Sequence, residues 1–438
     1  MIEKADQIFV LLAHWLVGFL PAGLQHPVIV LLGVVAIIAT FPGLFAITVL
    51  LERKGLGRMQ NRYGPNRVGP YGLFQPIADG IKSLTKEDIV PLSADAVVHF
   101  LAPVLLVVVV FMGYAVLPIG RNMTLLDMDA GLLFFFAIGT ASELSVFMAG
   151  WSSRNKYSLL GAMRAVAQMI SYEVPLLMSS VAVVMMTGSL SLNKIVDAQN
   201  QYSYGLPHWY IFTPWGFAGF VLFAIAATAE TNRSPFDLPE GESELVAGYF
   251  TEYSGFKFAL FFLGEYVGMM GISGLGATLF LGGYSAPLAI LGFVPSWLWF
   301  FAKIMLAMCV FIWIRGTLPR LRQDQLMNFA WKFVLPLSLL NLIVAGLWRF
   351  MGDGLLRPDK AATALWLIEP PFPPRGFGGS QVAPGRTGRL PRSESASRRP
   401  QTACRAADRR RVIDRRSRGR GSIRRGRRRR PSRCPSIA

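Results

Sequence analysis

Apolar runs of bilayer-crossing length recur along most of this chain. A helix needs about 20 predominantly apolar residues to cross the hydrocarbon of a membrane. Eight runs reach or approach that length, at roughly 28–50, 97–119, 131–151, 165–187, 211–229, 256–281, 297–315 and 333–350. Backbone in lipid must satisfy its own hydrogen bonds, and runs of this composition do so as helices. The expected fold is an all-α integral membrane protein with about eight transmembrane helices. An earlier apolar piece, Phe9 to Leu20, is too short to span and stops at Pro21. It lacks a small-residue cleavage site, so residues 1–27 read as a partly membrane-associated segment and not as a signal peptide.

Lys and Arg favour cytoplasmic loops. The segment after the first run carries Arg53, Lys54, Arg58, Arg62, Arg67, Lys82 and Lys86, whereas the next loop holds only Arg121. Arg154, Lys156 and Arg164 follow the third run, and Lys194 follows the fourth. Arg233 and Lys257 flank the loop after the fifth, and none follows the sixth. After the seventh come Arg315, Arg320, Arg322 and Lys332. The alternation places the loops at about 51–96, 152–164, 230–255 and 316–332 in the cytoplasm and both termini outside.

The formal charge of +18 has to be localised before it means anything. From Arg375 onward there are 21 Arg, no Lys and three acids, which accounts for the whole excess. The membrane body at 28–350 therefore belongs to a neutral stretch. Residues 351–438 are rich in Pro, Gly, Ser and Arg, a composition that buries too little apolar surface to offset its ordering entropy. They read as a disordered tail or as one translated from a shifted frame in a GC-rich gene. Arg runs attract nucleic acid, but a tail placed outside the cytoplasm does not meet it, so no nucleic-acid partner is expected.

Three cysteines, Cys309, Cys404 and Cys434, have no zinc or iron–sulfur spacing. The four histidines, His14, His26, His99 and His208, are scattered and read as structural or interfacial. No strand-linked GxGxxG and no P-loop occur. No metal site is expected, and any redox cofactor comes with another chain.

The segment at 52–98 is too long for a simple connection and too polar to span. Its first part, rich in Gly, Pro and Arg, reads as an ordered loop. From Leu73 to Leu84 the apolar residues Leu73, Phe74, Ile77, Ile81 and Leu84 recur at intervals of three and four. That spacing predicts an amphipathic helix in the membrane interface. It either packs on other spans or frames an opening for a lipid-soluble ligand, with Arg53, Arg58, Arg62 and Arg67 upstream to orient a carbonyl head group or dock an acidic partner.

Carboxylates are the other anomaly. Glu230, Asp237, Glu240, Glu242, Glu244 and Glu252 crowd one stretch, with Arg233 as its one base. Glu143, Glu173, Glu265 and Lys303 fall inside apolar runs. A charge inside a span costs a few kcal/mol unless it pairs, faces the bundle interior or meets water. Two readings follow: a proton path, or structural pairing such as Glu265 with Lys303. Pro175, two residues after Glu173, removes a backbone donor and is expected to kink its helix.

The stretch ETNRSPFDLPEGESELVAGYFTEYSGFKFALFFLGEY at 230–266 resembles the signature of the H subunit, the membrane-arm anchor of bacterial NADH:quinone oxidoreductase (respiratory complex I). Similar matches are LLERKGLGRMQNRYGPNRVGPYGLFQPIADGIKSLTKED at 50–88 and SSRNKYSLLGAMRAVAQMISYEVPL at 152–176. The resemblance covers about residues 25–350 and implies a proton-pumping NADH:quinone oxidoreductase, in which this anchor joins the peripheral and membrane arms and carries no redox centre of its own. It implies that Arg53, Arg58, Arg62, Arg67, Asp237, Glu240, Glu242 and Glu244 line the quinone chamber. Glu173, Glu230, Glu252 and Glu265 match a carboxylate path for protons; Glu143 falls in a less specific match. The implied substrate is ubiquinone or menaquinone, bound together with partner subunits. NAD, FMN and iron–sulfur clusters would lie in other subunits. The implied partners are the peripheral-arm quinone-site and iron–sulfur subunits, the small membrane subunits and the lipid bilayer, and the implied location is a bacterial inner membrane. Two alternatives stay open: a membrane anchor of a hydrogenase or other non-NADH dehydrogenase, and a stand-alone ion transporter. The latter would need paired broken helices or an internal repeat.

Overall fold

A computed structural model of the chain describes residues 6–18, 21–203, 206–237 and 246–354. The chain divides into two units, Met1–Gly376 and Phe377–Ala438. Of the expected tail at 351–438, Met351–Gly354 end the last helix, and the remainder, with the whole second unit, lies outside the described residues. Among the described residues of the first unit, the regular structure is helical apart from a two-residue antiparallel pair, β1 (Tyr202–Ser203) with β2 (Leu206–Pro207).

Its helices are α1 (Ile8–Val17), α2 (Ala22–Met59), α3 (Gln75–Thr85), α4 (Ala96–Gly113), α5 (Gly131–Ser152) and α6 (Lys156–Thr187). There follow α7 (Leu192–Gln199), α8 (Pro214–Glu230), α9 (Gly255–Phe280) and α10 (Ser296–Thr317). The last helical stretch begins as α11 (Gln323–Phe329), passes through a π-helical turn (Ala330–Val334) and continues as α12 (Leu335–Gly354). Among the described residues, seven helical segments are long and apolar enough to cross a membrane. The eighth expected span corresponds to α8, which has 17 residues. At 1.5 Å per residue it reaches about 26 Å, short of the roughly 30 Å of a bilayer's hydrocarbon. Its start is set by Pro214 at the first helical position and by Thr213, whose Oγ1 accepts the Gly216 N–H at 3.2 Å.

Several boundaries differ from expectation for local reasons. Helix α2 runs on to Met59, so Glu52 to Met59 are helical, although the composition of this segment suggested a loop. Gly55 and Gly57 do not end the helix; Gly57 instead admits the backbone of Arg62 and Gly64 closely. Helix α6 starts at Lys156, nine residues before the expected span, because Asn155 caps it by accepting the Tyr157 N–H at 3.1 Å. Pro175 lies inside α6 without ending it. The amphipathic helix is α3, close to the expected position.

Helix α6 is central, packing on α5, α8 and α12, while α9 packs on α4 and α10, and α10 on α2. Outward-facing positions carry large apolar side chains such as Leu31, Leu133 and Leu306, as a lipid-facing bundle requires. One small core beside the carboxylate stretch uses Ala102, Ala149, Ala162 and Ala165 around Tyr249, Phe250, Tyr253 and Phe261. Small residues let the backbones approach closely. At Gly161 an added Cβ would lie 2.7 Å from the Gly248 Cα.

Gly161→Ala is therefore expected to cost about 1–3 kcal/mol by overpacking against backbone. Gly80→Ala, on an open face of α3, is expected to be neutral or mildly stabilising, since alanine is the better helix former by up to about 1 kcal/mol. Thermal unfolding of the purified protein in detergent compares the two; equal melting temperatures would contradict the overpacking at Gly161.

Candidate functional site

A cavity of about 120 Å³ lies between α4, α5, α6, α8 and α9. Three carboxylates from three helices line it: Glu173 on α6, Glu230 at the end of α8 and Glu265 on α9. Helical periodicity aims them. Met169, Glu173 and Leu176 share one face of α6, and Gly264, Gly268 and Gly271 share the face of α9 that carries Glu265 toward the cavity. A Cβ at Gly268 would lie 3.7 Å from Val110, so the glycine face is what leaves space there. Ser142, Thr231, Asn232 and Tyr249 add polar atoms to the lining. The rest of the lining is apolar, so these side chains are the points at which water would be held, in a volume several times that of one water.

The carboxylates differ in their partners. Glu265 Oε1 accepts from the Tyr249 hydroxyl at 3.2 Å. Glu230 Oε2 and Glu143 Oε1 are buried without a hydrogen-bond partner among the described residues. Glu143 is 7% exposed and sits next to the lining residue Ser142 without touching the cavity itself. It is nevertheless close enough for Glu143, Glu173 and Glu230 to feel one another's charge.

Glu230 is placed by the turn that follows it. The Gln168 amide on α6 donates to the Ala229 carbonyl at 2.7 Å, the Phe236 carbonyl at 2.7 Å and Asn232 Oδ1 at 3.2 Å. A single buried amide thus holds both ends of the turn. Asn232 adopts a left-handed backbone (φ 50°), which asparagine tolerates well. Phe236 packs its ring on Tyr172 at 5.4 Å. Asp237 ends this described segment; Glu240, Glu242 and Glu244 lie outside the described residues.

Arg233 in the same turn reaches a second cluster that loop-charge counting did not find. Glu52, 5% exposed, accepts from the Tyr266 hydroxyl at 2.5 Å and from Arg315 Nη1, with Arg233 Nη1 at 3.7 Å. The Arg233 guanidinium also lies 4.1 Å from the Tyr266 ring centroid. Glu52 and Arg315 stand 263 positions apart, and in the sequence each reads only as a charge at a loop end. The available signal was Glu52 itself, an acid closing an apolar run at the point where α2 is still helical.

Other predicted site residues lie elsewhere. Arg53 pairs with Asp79 at 2.5 Å, tying α2 to α3. Arg58, Arg62 and Arg67 stand at and beyond the end of α2, and none of the four arginines lines the cavity. Glu252 is not on the cavity; its Oε1 accepts from Asn155 Nδ2 at 2.8 Å. It belongs to a clasp in which Lys257 pairs with Asp88 at 2.7 Å and the Ile89 N–H donates to Ser254 Oγ at 2.9 Å. Tyr253 stacks on the buried His99 ring at 4.0 Å, and burial pushes its phenol up to about 12. The clasp joins the far end of the carboxylate stretch to the linker after α3. Lys303 does not pair with Glu265 as the pairing alternative suggested. Its ammonium donates to the carbonyls of Leu281, Gly283 and Ser285, each at 2.7 Å, beyond the far end of α9. Among the described residues, no three His, Cys, Asp or Glu side chains gather as metal ligands.

The family described as NADH dehydrogenase matches residues 32–346. The NADH-quinone oxidoreductase H subunit of Dehalococcoides mccartyi strain CBDB1 is 50% identical over 313 residues, covering 72% of this chain and 83% of that protein. The H subunit of Thermomicrobium roseum is 48% identical over 328 residues, covering 72% of this chain and 94% of that one. The H subunit of Bacillus cytotoxicus is 49% identical over 306 residues, covering 70% and 89%.

Glu52→Ala is expected to destabilise the fold by about 3–5 kcal/mol, because it removes the carboxylate that faces the buried Arg233. Arg315→Ala should cost less, since Glu52 keeps the Tyr266 hydroxyl and Arg233, and Arg315 is itself 32% exposed. Thermal unfolding orders the two, and an unchanged melting temperature for Glu52→Ala would contradict the buried-cluster assignment.

Proposed function

Because this chain belongs to the NADH dehydrogenase family as an H subunit of NADH-quinone oxidoreductase, a multi-pass membrane component of that enzyme, we propose that it forms one wall of the quinone site and couples quinone reduction to proton movement through its buried carboxylates. The observation that carries this reading is the convergence of Glu173, Glu230 and Glu265 on one cavity inside the bundle. Relatives near 50% identity that are named as H subunits favour this reading over the hydrogenase-anchor and stand-alone transporter alternatives.

The cavity is too small for the quinone itself, since small-molecule pockets run to roughly 300–1,000 Å³. It suits water. The quinone wall is better sought at the end of the bundle where α2, α3 and the 230–237 turn meet. Leu73, Phe74, Ile77, Ile81 and Leu84 are exposed on and just before α3, an apolar surface open to the bilayer or to a quinone tail. Arg53, Arg58, Arg62 and Arg67 stand on the same side of the chain's sequence and would face the peripheral-arm subunits, which supply the iron–sulfur clusters, FMN and NAD site. Whether the substrate is ubiquinone or menaquinone is left to those subunits.

Reducing a quinone to a quinol takes up two electrons and two protons. Negative charge arriving near the 230–237 turn favours protonation of neighbouring carboxylates. Asp237, with Glu240, Glu242 and Glu244 of the same stretch, would respond first. Glu230 is the link, because it closes α8 beside that turn and also lines the cavity. Water in the cavity then lets Glu230 exchange protons with Glu173 and Glu265, with Glu143 feeling the change electrostatically. Glu252, held by Asn155 outside the cavity, would set the position of the stretch through the clasp. Groups this close titrate as a set and not singly.

Glu230→Gln and Glu265→Gln are expected to lower quinone-linked NADH oxidation by about tenfold or more, in line with the loss of a positioned proton-transfer group. NADH–ferricyanide activity, which bypasses the membrane arm, should be unchanged. Wild-type quinone rates in both variants would contradict the proposal.

A further inference from the structure

Lys303 is 8% exposed, lies within a membrane-spanning helix, and has no carboxylate partner among the described residues. A charge there should be costly, yet it is fully provided for. Its three ammonium N–H groups meet three carbonyls, of Leu281, Gly283 and Ser285, each at 2.7 Å. Its Nζ also lies 4.3 Å from the Trp209 ring centroid.

The cage is built by several elements. Gly282 and Gly283 turn the chain out of α9 with φ of 67° and 53°. A Cβ at Gly282 would lie 2.5 Å from Trp209 Nε1. Trp209 Nε1 donates to Ser285 Oγ at 3.0 Å. Gln199 accepts the Gly282 N–H at 3.1 Å and donates to the Thr278 carbonyl at 3.0 Å.

The position of the cage matters as much as its chemistry. On α9 the cavity lining stops at Gly271 and Ile272. Leu281 is nine residues further on, about 14 Å along a helix. Between them Leu275, Leu279, Phe280, Phe223, Phe300 and Ile304 are all buried, none more than 3% exposed, and the hydroxyls of Ser273 and Thr278 in the same stretch donate to carbonyls of α9 itself. The Glu52–Arg233–Arg315 cluster marks the other end, with Arg315 twelve residues beyond Lys303 on α10, about 18 Å away.

We propose that the Lys303 cage is a proton seal: a positive charge held by three carbonyls behind a layer of buried apolar side chains, closing the carboxylate cavity at this end so that it exchanges protons only toward the other. The inference rests on the reading of the cavity as a proton path. Two physical effects act together. The ammonium repels an excess proton moving along water, as positive groups do in pores that exclude protons. It also satisfies three carbonyls that would otherwise draw water into the bundle, since backbone groups at membrane depth must be bonded or hydrated. Within this chain the carboxylates therefore pass protons sideways to neighbouring subunits and not straight across.

The test uses the complete enzyme complex in proteoliposomes carrying a pH-sensitive dye. Passive decay of an imposed pH gradient is followed with neither NADH nor quinone present. Lys303→Met is expected to speed the decay several-fold while NADH–ferricyanide activity holds, and Lys303→Arg to restore a tight membrane. Lys303→Gln, which still donates to two carbonyls but carries no charge, is expected to leak too and serves if the Met variant fails to assemble. Adding Glu230→Gln to either leaky variant should slow the leak. An assembled neutral variant as tight as wild type overturns the seal, as does a leak indifferent to Glu230→Gln. Because the leak is read without turnover, it is separable from the quinone-linked rates that test the proton path itself.

Discussion

A charged side chain inside an apolar span must find its partners within the protein, and this constraint organises the whole bundle. Three different solutions occur. Glu52 is met by Arg315, Arg233 and the Tyr266 hydroxyl, which draws the ends of α2 and α10, the middle of α9 and the turn after α8 together. Lys303 is met by three backbone carbonyls. Glu173, Glu230 and Glu265 instead share a cavity. The first two arrangements hold their charges on protein partners. The third leaves room for water, and that is where protonation can change.

Gln168 connects the constraint to the chain's local structure. By gripping the Ala229 and Phe236 carbonyls from α6, it fixes the turn that carries Glu230 on one side and Arg233 on the other. One residue of that turn faces the cavity and another faces the Glu52 cluster. The proposed coupling would therefore reach both through few intermediate contacts. The Lys257–Asp88 pair and the Ser254 bonds do a similar job at the far end, joining the stretch to the linker after α3.

Much of the fold was legible in the residues, because span length and amphipathic spacing are local properties. Each expected apolar run is helical, and α3 lies close to where Leu73, Phe74, Ile77, Ile81 and Leu84 place it. Helix ends were less legible. Glu52 to Met59 looked like loop because glycine and arginine suggested it, yet tertiary packing keeps α2 helical there. Pro175, two residues after Glu173, lies inside α6 and does not end it. The convergence of Glu173, Glu230 and Glu265 was suggested by their cost in a membrane, but which of them share a cavity depends on helix rotation, which charge counting does not give. The pairing of Lys303 with Glu265 failed for a similar reason. Glu265 lies ten residues into α9, whereas Lys303 closes the opposite end of that helix.

Proton exchange inside the bundle requires water in the cavity bounded by Glu173, Glu230 and Glu265. A structure of the whole complex at a resolution that shows ordered water tests this most directly. The expected result is a chain of water molecules hydrogen-bonded to all three carboxylates and ending before Leu275. A cavity closed by side chains or filled by lipid, with the carboxylates isolated from one another, would contradict it.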